Sequence, residues 1–128
     1  MKKLIALEEL AQFVASLYLV AQLALPNNPY LLIPAFFAPD LFALGYLVDK
    51  KVGTLLYNFS HHKLVALSLV ATGYAVNNEY CQLAGLLAYA HSSFDRAIGY
   101  GLKYVASPNR THLGYIGKEK FKNPPDTL

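Results

Sequence analysis

Four apolar stretches constrain this chain more than any other feature. Each is about 18 to 25 residues long, the length a helix needs to cross a ~30 Å hydrocarbon layer. The first runs from Leu4 to Leu25 and stops at Pro26-Asn27-Asn28-Pro29, a strong breaker. The second runs from Tyr30 to Leu47 and meets Asp49-Lys50-Lys51. The third begins at Val52 and ends before Asn77-Asn78-Glu79, and the fourth begins at Tyr80 and fades at Gly99-Tyr100-Gly101. No stretch alternates with a period of two, and alanine and leucine outnumber the β-branched residues, so helices are expected. The expected fold is all-α, a four-helix transmembrane up-and-down bundle over residues 1–104 with a soluble tail over 105–128.

Composition and charge agree with this reading. Hydrophobic residues make up 55% of the chain and charged residues 15%, against roughly a quarter charged in a soluble domain. The net charge of +3 is small and does not suggest a nucleic-acid partner. Its placement is more informative. The loops Pro26–Pro29 and Asn77–Tyr80 contain no lysine or arginine, whereas Lys2, Lys3, Lys50, Lys51, Lys103, Arg110, Lys118, Lys120 and Lys122 occupy the alternate segments. The positive-inside rule then puts both termini in the cytoplasm and predicts a multi-pass inner-membrane protein in contact with membrane lipid. Glu8-Glu9 interrupts the first stretch and no small-residue cleavage site follows, so that stretch is expected to be retained rather than cleaved. The single cysteine, Cys81, excludes an intrachain disulfide and a cysteine-based zinc site.

No stretch is apolar throughout. Glu8 and Glu9 lie early in the first, Asp40 lies within the second, Asn58, His61, His62 and Lys63 lie early in the third, and His91, Asp95 and Arg96 lie late in the fourth. An up-and-down bundle gathers these positions in its cytoplasmic half. Ionisable groups inside a bilayer cost about 2.5 kcal/mol or more each, so they call for partners. His91 and Asp95 share a helix face, as do Tyr57 and His61. Imidazole and carboxylate on facing helices bind divalent metals, and the expected ligands are Asp40, His61, His91 and Asp95, with zinc or manganese as the ion. Glu8 is expected to move protons or support the ligands. His62 and Lys63 are expected to snorkel toward the interface and Glu9 to face headgroups. Gly99-Tyr100-Gly101 with Lys103 reads either as a glycine helix stop or as an anion-binding nest.

Several short motifs together carry a family resemblance. They are Pro39-Asp40 with Gly45-Tyr46, Tyr57-Asn58-Phe59-Ser60-His61, His91-Ser92-Ser93-Phe94-Asp95-Arg96 running into Gly99-Tyr100-Gly101-Leu102-Lys103, and Thr111-His112-Leu113-Gly114. Across nearly the whole chain it resembles the small bacterial membrane proteins grouped as domain-of-unknown-function family 4260. The resemblance implies a four-helix membrane protein with marked polar positions and no assigned reaction. It places Glu8 where the family has an early glutamate, and it adds Tyr57, Asn58 and His112 to the candidates.

Three functions fit these residues. The first is a metal-dependent hydrolase acting on a lipid or amphiphilic phosphoester, with Arg96 and Lys103 holding an anionic headgroup. The second is a small proton or cation transporter or channel using the same acids and histidines. The third is a membrane interaction module with a structural polar core, which includes association as a homo-oligomer.

Overall fold

The computed structural model describes residues 1–122, and over them the chain is mostly helical. Residues 123–128 of the expected tail lie outside the described part. Helix α1 spans Lys2–Ala21. Asn28 then caps α2 (Pro29–Phe37) by accepting the Tyr30 N–H at 2.9 Å, with Pro29 in the first turn, where its missing donor costs nothing. Pro34 and Pro39 cannot donate to the helix ladder, and from Ala38 to Leu47 the chain tightens into a 3-10 helix. Asp49 caps α3 (Lys50–Ser60) through the Val52 N–H at 2.7 Å. Helices α4 (Lys63–Ala75) and α5 (Glu79–Ala97) follow, the second capped by Asn78 on the Cys81 N–H at 3.0 Å.

Two helical stretches, Lys2–Ala21 and the composite Pro29–Leu47, are long and apolar enough to cross a membrane. The expected third helix is instead two. The Tyr57 carbonyl keeps its ladder bond from the His61 N–H at 3.0 Å and also accepts from the Ser60 hydroxyl and the His61 ring, at 2.9 Å each, where α3 ends. The His62 ring then accepts the Leu64 N–H at 3.2 Å and starts α4. His62, an exposed side chain, is therefore a cap.

Helix α5 is the axis of the molecule. It lies between α1 and α4, both antiparallel to it, and supplies Leu83, Leu86 and Leu87 to a small core with Val20. The α4–α5 approach is close: a Cβ at Gly85 would stand 2.6 Å from the Val70 nitrogen and 2.7 Å from the Ala66 oxygen. The 3-10 helix packs in turn on α3, where a Cβ at Gly53 would collide with Tyr46 at 2.3 Å. Among the described residues, seven apolar side chains are buried against ten polar or charged ones. Large apolar side chains such as Leu7, Val14, Tyr18, Ile33, Leu44, Leu55 and Leu67 face outward. A water-soluble core has the opposite balance.

Beyond α5 the chain turns back. Strands β1 (Arg110–Thr111) and β2 (Gly114–Tyr115) form a hairpin, a departure from the all-α expectation made possible by Gly114 at φ 118°. Lys103 bridges to Thr111, which is 3% exposed, and a short helix α6 (Glu119–Lys122) follows.

Candidate metal centre

Three elements meet where the third helix breaks. Asp40 comes from the 3-10 helix, His61 from the end of α3, and His91 and Asp95 from consecutive turns of α5. One donor atom from each of the four lies within 4.8 Å of the others. His61 Nε2 is 3.1 Å from His91 Nε2, and both stand 3.2 Å from Asp40 Oδ1. Asp95 Oδ2 is 3.5 Å from His61 Nε2 and 3.6 Å from His91 Nε2. Four ligands at roughly 2.0–2.1 Å from one ion stand about 3.3–3.4 Å apart at tetrahedral angles. Five of the six pairwise separations, 3.1 to 3.6 Å, bracket that value, which suits an ion of zinc's size. The two histidines are 3% and 1% exposed, whereas the Asp40 side chain is 50% exposed and leaves the cluster open on that side.

The surrounding groups fix both rings. His61 Nδ1 meets the Tyr57 carbonyl at 2.9 Å; with the proton on that nitrogen, the Nε2 lone pair points into the cluster. The Tyr57 ring stacks on His61 with centroids 3.9 Å apart, and its hydroxyl donates to Asp95 Oδ2 at 3.4 Å. His91 is held by packing: its ring stands edge-on to Phe36 and Phe37, and its buried Nδ1 has no hydrogen-bond partner among the described residues.

Lys103 lies against this assembly, its ammonium 4.0 Å from the Tyr57 ring centre and 5.6 Å from that of Tyr46. Burial pulls the Lys103 pKa below the usual lysine value, and the Asp95 and Asp40 carboxylates oppose that fall. The Asn58 side chain clamps the Lys103 backbone, donating to its carbonyl at 2.8 Å and accepting its N–H at 2.7 Å. His112 does the same one residue earlier, its Nδ1 accepting the Leu102 N–H at 2.8 Å while its own N–H donates to the Leu102 carbonyl at 3.0 Å. Asn58 and His112 thus place Lys103 and do not enter the cluster.

Two other sequence candidates supply no donor to the cluster. Glu8 is exposed on α1 and makes no side-chain contact with the four donors. Arg96 lines a crevice with Tyr57, His61, Asp95 and Leu102, and it also lines a separate groove with Lys2 and Lys3.

Sequence reasoning missed a second polar assembly. Glu9, expected at the headgroups, is 8% exposed and ion-paired with Lys63. Lys63 also donates to Gln12 Oε1 at 2.6 Å, and the Tyr89 hydroxyl donates to the same oxygen at 2.6 Å. One signal for it was present in the sequence: Glu9, Gln12, Ser16 and Val20 recur at helical spacing and form the inward stripe of α1.

The family model described as "Domain of unknown function (DUF4260)" matches residues 2–116. No curated protein and no solved structure matches the chain.

Proposed function

The chain belongs to the DUF4260 family, and from that premise we propose a metal-dependent membrane hydrolase acting on a lipid or amphiphilic phosphoester. The observation that carries the proposal is the convergence of Asp40, His61, His91 and Asp95 at separations a single divalent ion would bridge. A bound zinc or manganese supplies Lewis acidity and an activated water. Asp40 takes the open side of the site. Tyr57 holds His61 by stacking and Asp95 by its hydroxyl, so the ligands are oriented before the ion arrives. Lys103 offers a positive charge beside the centre, suited to a phosphoester oxygen.

In this proposal α1, the composite second helix, the broken third and α5 together cross the cytoplasmic membrane, with both termini inside. The outward apolar surface and the outer loops without lysine or arginine support that placement. Elemental analysis of protein purified without chelator tests the metal reading. About one equivalent of zinc or manganese per chain is expected, lost in His91→Ala. A metal-free protein that also fails to take up either ion on titration would overturn it.

A further inference from the structure

The antiparallel packing of α1 on α5 brings Lys2 and Lys3, in the first turn of α1, beside Arg96, in the last turn of α5. All three line a groove of about 240 Å³. Its remaining walls are apolar: Ile5 and Ala6 on α1, Ile98 after α5, and Leu113 from the hairpin. Lys2 also reaches toward the hairpin turn, its Nζ lying 3.3 Å from where a Cβ on Gly114 would stand. Among the described residues, none of these three cations is paired with a carboxylate, and the ion pairs present all involve other groups.

Three like charges around one groove repel one another unless an anion joins them. Neither the metal centre nor the Glu9–Lys63 network supplies one. We propose that the Lys2–Lys3–Arg96 groove binds a phosphate-bearing anion, with the apolar walls suited to the glycerol and upper chain of an anionic phospholipid. The site is distinct from the metal centre and does not depend on the metal reading. It also gives the hairpin a role. Leu113 forms one wall, so an occupied groove ties the segment after α5 to the start of α1.

Equilibrium binding to the purified full chain in detergent tests this, with radiolabelled short-chain phosphatidate, phosphatidylcholine and inorganic phosphate as probes. Phosphatidate is expected to bind and phosphatidylcholine to bind at least tenfold more weakly. A juxtamembrane cation contributes roughly fivefold in affinity, so the double substitution Lys2→Gln/Lys3→Gln should weaken phosphatidate binding about ten- to thirtyfold. Arg96→Gln should weaken it severalfold, and Lys2→Arg/Lys3→Arg should retain it. An unchanged thermal unfolding midpoint in the glutamine double variant reports an intact fold, and Asp40→Asn should leave phosphatidate binding in place. Inorganic phosphate bound with the same dependence on these residues would support the site and identify free phosphate as its ligand. Equal binding of phosphatidylcholine, or phosphatidate binding unchanged in the glutamine variants, would overturn the proposal.

Discussion

The Asp40–His61–His91–Asp95 cluster and the Glu9–Lys63–Gln12–Tyr89 network both lean on α5, and they differ in what they leave unsatisfied. In the network the lysine faces a carboxylate, an amide oxygen and a tyrosine ring, so its charge is answered within the protein. In the cluster four potential donors to a metal face one another, two of them carboxylates, and the Lys103 ammonium lies over the Tyr57 ring. Burying a cation with its anion stabilises a packing arrangement. Gathering four electron-pair donors, with Asp40 alone half-exposed, asks for a cation from outside. The same residue types thus serve structure in one place and, in the proposed function, hold a metal in the other, and composition alone does not separate the two.

The largest expected effect breaks the comparison at the cluster. Asp95→Asn or His91→Ala should reduce bound metal from about one equivalent to a trace by elemental analysis, and Glu9→Gln should leave it unchanged. Equal loss from both would mean that the network, too, serves the ion. On the network side, Glu9→Gln leaves Lys63 without its counter-charge and should cost about 3–5 kcal/mol in detergent unfolding. Replacing both partners, as in Glu9→Leu/Lys63→Met, should recover most of that loss. A double variant no better than the single would mean that the pair does more than hold α1 to α4.

Asn58→Ala probes the support of Lys103. Losing two hydrogen bonds to the backbone of one residue should cost about 1–3 kcal/mol and speed tryptic cleavage after Lys103, with metal content preserved. The smallest effect is a pH dependence at His112. Burial, reinforced by Arg96, lowers its pKa from 6.5, and the neutral ring is the form that accepts the Leu102 N–H. A lowered folded-state pKa means that the unfolded ring takes up its proton first. The stabilisation is therefore complete above pH 6.5 and declines as the pH falls below it. Protease protection of the segment around Arg110 should decrease between pH 7.5 and 5.5, and His112→Asn should flatten the decrease.

The cluster was largely legible in the sequence because buried ionisable residues need partners, and the four-residue step from His91 to Asp95 fixes a shared face. Pro34 and Pro39 also signalled that the second stretch would not be a plain α-helix. The break at His61 was hidden: no glycine or proline marks it, and two side chains competing for one carbonyl are seen only once they are placed. Glu9 and Lys63 are 54 residues apart, and a single sequence holds no record of such pairing. Asn58 and His112 stood out by type, yet both act on backbone groups, which side-chain patterns do not reveal.

The central place of α5 has a consequence for how the protein is made. Chains emerge from the ribosome N-terminus first, at about 5–20 residues per second. Helix α1 and the residues through α4 therefore leave the ribosome before the helix that separates and joins them exists. Until Glu79–Ala97 has been synthesised, Asp40 and His61 lack their two α5 partners, and the inner faces of α1 and α4 lack the surface they pack on. Assembly is thus confined to the last steps of synthesis, and a nascent chain arrested before α5 leaves those polar groups without their partners.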